Sequence, residues 1–130
     1  MLVLDASAAL QAALAEKGFD LLRGESLVAP PLLRSEAVSA LHEMAWRGEI
    51  SAALAVRTLE RLLDAPIERR RPRRLAREAW KVADTLGWAK TYDAEYVALA
   101  RILRCRLLTI DARLKRGASR LVEIVGPADL

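Results

Sequence analysis

The chain has 130 residues, 53% of them hydrophobic and 29% charged, with a net charge of +4. That length and balance predict one folded domain over 1–130 with a core of its own, and exclude a disordered tail. No apolar run nears the ~20 residues of a membrane-spanning helix, and the N-terminal MLVLDASAAL lacks the basic start of a secretion signal.

In chain order, residues 2–4 (LVL) predict a short strand ending at Asp5. A small-residue helix follows through Ala8, Leu10, Ala13 and Leu14, stopping near Gly18. Residues 26–29 (SLVA) predict a second strand, closed by Pro30 and Pro31 before a helix over about 32–47 that Gly48 ends. Ser51 is the expected N-cap of a helix reaching about Leu63. Pro66 and Pro72 bracket an arginine-rich connection. The next helix carries Leu75, Ala79, Val82, Ala83 and Leu86 on one face and stops at Gly87. A helix led by Asp93 comes next, its spacing putting Asp93 on the inward face with Tyr96, Val97, Ala100 and Leu103. A strand at 106–110 (RLLTI) ends at Asp111, then come a short helix at 112–116 and a last strand near 121–125 (LVEIV). No repeat, low-complexity tract or linker interrupts this order.

Short apolar strands alternating with helices imply an α/β fold with a parallel sheet covered on both faces. Ligands of such sheets bind beyond the carboxyl ends of the strands. Asp5 and Asp111 each follow an apolar strand, so both belong at that edge. Glu36 lies inside the apolar stripe Leu33, Ala37, Ala40, Leu41 and Met44 of its helix, where a carboxylate is costly without a partner. Each acid alone has a plain structural reading. Asp5, Asp93 and Asp111 suit helix N-caps, and Glu36 suits a pairing with an arginine or a backbone donor.

Taken together, the four acids point to a site. Carboxylates about 4.5 Å apart repel by roughly 3–4 kcal/mol at an effective dielectric of about 20. A hard divalent cation, Mg²⁺ or Mn²⁺, relieves that repulsion, and its usual work in such a site is hydrolysis of phosphate esters. The single histidine, His42, and the single cysteine, Cys105, are too few for a zinc hydrolase or a His-based nucleophile. With one cysteine no internal disulfide forms, which fits the cytoplasm. Trp46, Trp80 and Trp88 are read as core or dimer contacts rather than base-stacking platforms, His42 as a surface residue and Cys105 as a small buried hydrophobe.

The succession VLDASAAL, PPLLRSEAVSAL, TYDAEYVALA and LLTIDARL resembles the PIN-domain ribonucleases, specifically VapC-type toxins of prokaryotic toxin–antitoxin pairs. The resemblance spans essentially the whole chain. It implies a three-layer α/β/α sandwich with a central parallel sheet and metal-dependent endoribonuclease activity. It also implies a homodimer and a small cognate antitoxin that blocks the acidic pocket, with the helix at 51–63 a docking candidate. Its acidic metal site falls on Asp5, Glu36, Asp93 and Asp111, and Ser7 and Thr109 match positions where small hydroxyls stand beside the acids. Two other carboxylate-based families fit poorly. A dehalogenase-type phosphatase needs an aspartate where Ser7 stands, and a phosphoreceiver domain needs a lysine near Thr109. The rival from another class is a non-catalytic PIN fold that binds RNA or protein, but such a module is expected to lose acids, and all four remain.

Charge is divided along the chain. Residues 1–56 hold four Lys/Arg against seven Asp/Glu, a balance of −3, and residues 57–130 hold 17 against ten, a balance of +7. An acidic pocket repels a polyanion, so RNA needs basic surface around it. Lys90, Arg113, Lys115 and Arg116 adjoin the Asp93 and Asp111 segments and are the expected phosphate contacts. Arg69, Arg70 and Arg71 in the run ERRRPRR are a second source, or a solvated connection that aids solubility.

Overall fold

A computed structural model describes residues 1–130. Five strands, β1 (Leu2–Leu4), β2 (Leu27–Ala29), β3 (Ile67–Arg69), β4 (Arg106–Leu108) and β5 (Ile124–Val125), form one sheet. Their order is β3-β2-β1-β4-β5, and every pairing is parallel. β1 is therefore central. Its three residues are wholly buried, as a strand covered on both faces must be.

Six helices supply the crossovers: α1 (Ala6–Leu14), α2 (Leu32–Trp46), α3 (Ala52–Leu63), α4 (Leu75–Leu86), α5 (Tyr92–Leu103) and α6 (Ala112–Ala118). The chain leaves β1 toward β2 and β3, then returns past β1 to β4 and β5. Right-handed crossovers place α1–α3 on one face and α4–α6 on the other, the expected three-layer sandwich. α1 packs on α2 and α3, and α4 packs on α5, which lies across β1 and β4. Small residues let α1 approach closely. A Cβ on Gly18 would meet the Ala12 carbonyl oxygen at 1.9 Å, so only glycine fits under that helix.

Most expected elements stand where the sequence puts them. Ser51 caps α3 by accepting from the Leu54 N–H at 3.1 Å, and Gly87 ends α4 in the left-handed region at φ +71°. β4 ends at Leu108, two residues short of the strand expected over 106–110, and three other elements differ. The arginine-rich connection contains an edge strand, β3, whose residues Ile67, Glu68 and Arg69 pair with Leu27, Val28 and Ala29. Two of its three side chains are exposed and charged, as suits a sheet edge, so no apolar run marks it. The last strand has two residues because the Leu121 and Val122 amides donate to the Ala118 carbonyl and finish α6 instead. α6 also runs to Ala118, past the expected stop at 116. The helix at 51–63 and the stops at Gly48 and Gly87 are as expected.

Thr58 is buried on α3, and its hydroxyl has no hydrogen-bond partner. A buried hydroxyl left unpaired costs stability that a methyl of similar shape does not. Thr58→Val is expected to raise the unfolding free energy by about 1 kcal/mol. The check is a urea midpoint that rises with an unchanged slope. A lower midpoint would mean the hydroxyl is satisfied in solution.

Candidate active site

The central strand pairs with β2 on one side and β4 on the other, so the chain changes winding direction between β1 and β4. The crevice at that switch point is where parallel sheets bind ligands. Asp5 follows β1 there, and Thr109 follows β4. The Asp5 N–H donates to the Leu108 carbonyl at 3.2 Å, which carries the ladder to the edge of the site.

Asp5 is 5% exposed. Three donors hold it: the Ser7 hydroxyl at 2.7 Å and the Ala8 N–H at 2.9 Å on Oδ1, and the Thr109 hydroxyl at 2.5 Å on Oδ2. Its plain reading as the N-cap of α1 is correct, and its other oxygen is tied to the neighbouring strand. Burial pushes the Asp5 carboxyl above its ordinary value, the three hydrogen bonds oppose the rise, and the Asp93 charge adds to it. Thr109 also accepts from the Asp111 N–H at 3.0 Å, and Ser7 accepts from the Ile110 N–H at 3.3 Å. Ser7 and Thr109 thus lock the loop carrying Asp111 to Asp5.

Asp111 caps α6, accepting from the Arg113 N–H at 2.9 Å and the Leu114 N–H at 3.4 Å on one oxygen, with the Arg113 guanidinium at 3.8 Å. Glu36 is half-buried on α2. Its partner is neither an arginine nor a backbone donor, as its plain reading required, but the Tyr96 hydroxyl, which donates to Oε1 at 2.6 Å. Tyr96 is 1% exposed on α5, so this bond reaches from one helical layer to the other over the sheet edge. Burial raises the Glu36 carboxyl, the tyrosine opposes that, and Asp93 and Asp5 raise it further.

Asp93 departs from expectation. It is exposed, whereas Ala94 and the run from Tyr96 to Ala100 are buried almost all round. The reason is position: as the second residue of α5 it lies on the open side of the helix start, while Ala94, next in the chain, is already buried. It is not an N-cap either, since Thr91 holds that place, and no side-chain cap bond forms there. Partial desolvation raises its carboxyl, Asp111 adds to the rise and Arg113 opposes it. Asp93 acts on the carboxyls of Asp5 and Glu36, Asp5 acts on that of Glu36, and Asp111 acts on that of Asp93, so the acids lie near one another at the strand ends.

A cavity of about 570 Å³ is lined by Glu36, Asp93, Asp111, Lys90, Arg113 and the turn around Trp88, and the buried Asp5 is not part of its lining. The donor set, carboxylates with two hydroxyls, is hard oxygen throughout. No three acids close into a tight ligand cage. Such a set fits Mg²⁺ or Mn²⁺, which keep several waters and take one or two carboxylates. His42 is exposed on α2, as expected, and Cys105, half-buried against the core, lies at the opposite end of β4.

Of the tryptophans read as core or dimer contacts, two are not in the core. Trp46 and Trp80 are 84% and 67% exposed, so neither is a core residue, and Trp88 packs partly on the core but also lines the acidic cavity. Trp46 is the last residue of α2, and Trp80 stands mid-helix on the solvent side of α4, beside the buried Ala79. Sequence reasoning also missed Tyr96 and Glu95. A phenol in an otherwise apolar buried run needs a partner, and that was the available signal for Tyr96. Glu95 is raised by desolvation and by Glu36 and lowered by Arg71, which brings the arginine run to the edge of the site.

The fold and site define an α/β protein with an all-carboxylate centre at the switch point of a parallel sheet. The PIN domain family model matches residues 2–119. The chain is 38% identical over 115 residues, 88% of each protein, to VapC ribonuclease Mb0985 of Mycobacterium bovis and to Ribonuclease VapC9 of Mycobacterium tuberculosis. Ribonuclease VapC12 of Mycobacterium tuberculosis is 32% identical over 95% of this chain and 97% of its own. Among solved structures, PAE2754 from Pyrobaculum aerophilum superposes with a TM-score of 0.76 at 27% identity, covering 98% of this chain and 91% of its own. FitAB bound to a DNA fragment shares the fold with a TM-score of 0.65 at 16% identity, over 100% of this chain and 97% of that one. The chain belongs to the PIN-domain family, alongside the VapC ribonucleases.

Asp5, Glu36 and Asp93 all sit above their ordinary values of 3.8, 4.5 and 3.8. A carboxyl raised by folding contributes stability below its unfolded pKa and loses it as pH rises through the folded one. Thermal stability in chelator is therefore expected to fall as pH climbs from about 4 through the raised values. Asp5→Asn should flatten that fall. Melting temperature against pH with and without Mg²⁺ is the check, and a metal-free profile that rises across the same window would refute the cluster's electrostatics.

Proposed function

We propose that this chain is a metal-dependent endoribonuclease that acts as the toxin of a toxin–antitoxin pair. The observation that supports the reading is a cavity lined by Glu36, Asp93 and Asp111 together with Lys90 and Arg113, with Asp5 close enough to act on Glu36, in a chain so similar to proteins named as VapC ribonucleases. The four carboxylates are the groups that would hold Mg²⁺ or Mn²⁺. The bound ion supplies an activated water and stabilises negative charge on the phosphodiester.

The chain's own residues prepare the site. Ser7, Thr109 and the Ala8 amide fix the Asp5 carboxyl and offset part of the cost of its burial. Tyr96 turns Glu36 toward the cleft, and the first amides of α6 do the same for Asp111. Asp93 has none of these restraints and stands at the mouth, free to meet a ligand. Lys90 and Arg113 face the cavity, and Lys115 and Arg116 lie exposed one turn further along α6. Those cations suit the phosphates on either side of the bond to be cut. Arg70 and Arg71 follow β3 at the same sheet edge, and the Arg70 amide donates to the Ala29 carbonyl at 2.9 Å. They extend the basic surface and make a purely solubilising role for that run less favoured.

A small antitoxin would neutralise the acidic pocket, most simply with an arginine. Trp46, Val56 on α3 and Trp80 leave apolar surface for such a partner or for a second copy of the chain. No helix is long and apolar enough to cross a membrane, and a cytoplasmic setting matches the substrate proposed.

Asp5→Asn and Asp93→Asn are each expected to abolish Mg²⁺-dependent cleavage of RNA while leaving the fold intact by circular dichroism. Thr109→Val, which removes only a support of Asp5, should lower the rate ~10–100-fold. Cleavage by either asparagine variant at the wild-type rate would defeat the assignment. For RNA binding, the triple change Arg113→Ala/Lys115→Ala/Arg116→Ala should make log Kd against log salt shallower by about 0.7 per lost single-strand contact. An unchanged slope would move the RNA path elsewhere.

A further inference from the structure

We infer that Tyr96 is a positioning residue that sets which cation the acidic site accepts: it holds Glu36 to a single coordinating oxygen and so disfavours Ca²⁺ relative to Mg²⁺. The inference rests on the reading of the acids as a Mg²⁺ or Mn²⁺ site and adds the side chain that discriminates between ions.

Hydrogen bonding leaves few carboxylate oxygens free. On Asp5, Oδ1 accepts from the Ser7 hydroxyl and the Ala8 N–H, and Oδ2 accepts from Thr109. On Asp111, Oδ1 takes both amides at the start of α6, which leaves Oδ2. On Glu36, Oε1 takes the Tyr96 hydroxyl, which leaves Oε2. Asp93 alone has no donor on either oxygen. Three of the four acids thus present at most one unbonded oxygen each. Mg²⁺ demands octahedral geometry, takes one or two carboxylates and keeps several waters, so single oxygens suit it. Ca²⁺ takes about six to eight oxygens, often with a carboxylate bound through both.

Glu36 is the acid whose restraint is a single side chain. The phenol donates at 2.6 Å, the length of a charge-assisted bond, roughly twice as strong as a neutral one. An ion that took both Glu36 oxygens would meet that proton at Oε1, where two positive groups compete for one oxygen. The phenol has no room to withdraw. Tyr96 is 1% exposed, in the core cluster that also holds the wholly buried Val97 and Leu99. A buried phenol needs an acceptor, and a backbone carbonyl would serve a purely structural role. Tyr96 instead meets a carboxylate that lines the cavity. It stands three residues after Asp93 on α5, so the helix that offers the unrestrained acid also fixes the one facing it from α2.

The test titrates Mg²⁺ or Ca²⁺ into the metal-free full chain by calorimetry, with no RNA present. Tyr96→Phe keeps the ring in the core. It should weaken Mg²⁺ ~10–100-fold, as loss of a group that orients a ligand does, and leave Ca²⁺ unchanged or tighter. The Mg²⁺ to Ca²⁺ preference then falls by at least that factor. A tyrosine with only a structural role would weaken both ions alike. In a Glu36→Gln background, where no carboxylate is left to chelate, Tyr96→Phe should leave the preference unchanged. A second measurement uses wild type and does not depend on the variant folding. The Tyr96 hydroxyl proton, buried and bonded to a carboxylate, should give a resolved NMR signal that saturating Mg²⁺ leaves in place. The inference is overturned if Tyr96→Phe shifts both ions equally, or if its effect on the preference persists with Glu36→Gln. Loss of the hydroxyl signal on adding Mg²⁺, or its absence beforehand, overturns it too. Wild type that binds neither ion refutes both the inference and the metal site beneath it. Wild type that shows the expected ion shifts but cuts no RNA refutes the ribonuclease reading alone and leaves the role of Tyr96 standing.

Discussion

A carboxylate buried at the end of the central strand has to be held by donors, and in this protein the donors come from two different strand ends. Asp5 takes Ser7 and the Ala8 amide from its own helix start and Thr109 from the end of β4. The bond from Thr109 is the one on which the site depends. It joins the two strands that diverge at the switch point, and the same hydroxyl accepts from the Asp111 amide. One threonine oxygen therefore sets the position of two of the four acids. Its value is greater than that of a surface hydrogen bond, because without it Asp5 would be desolvated with one oxygen unanswered.

The remaining acids show a gradation of restraint. Asp111 is tied by amides and Glu36 by one phenol, while Asp93 is tied by nothing in the chain. This ordering separates rigid from adaptable groups. A hydrated ion that retains much of its own shell needs a fixed floor and one carboxylate able to adjust. The price is mutual repulsion, visible as carboxyls raised by burial and by each other. The fold tolerates it because the surrounding core, from Leu2 through Tyr96 to Leu108, is dense and apolar. Functional strain of this kind is commonly balanced by stability elsewhere in the molecule.

Much of this was legible from residue order. Apolar triplets ending in aspartate, helices with serine and glycine at their ends, and acids interrupting apolar stripes are local patterns, and local patterns report local physics. The edge strand β3 was not legible. Its residues Ile67, Glu68 and Arg69 carry no period, and they are a strand only because β2 offers them an open ladder. That Trp46 and Trp80 lie outside the core was hidden for a related reason. A large ring on a helix looks inward by composition, whereas its exposure depends on whether another layer covers that side of the helix.

The sequence by itself determined the α/β alternation, the stops and caps of the helices, and the four acids. These follow from backbone preferences, apolar spacing and the cost of placing charge beside a core. Only the tertiary structure decided which donor answers Glu36, that Asp93 stands free at the mouth, and that Trp88 lies against Gly117 within the acidic cavity. Tyr96 lies 60 residues from Glu36, and Gly117 is on a different helix from the turn holding Trp88. Such pairings are made by the return of the chain across β1, which brings two helical layers to one sheet edge. No property of a single segment contains them.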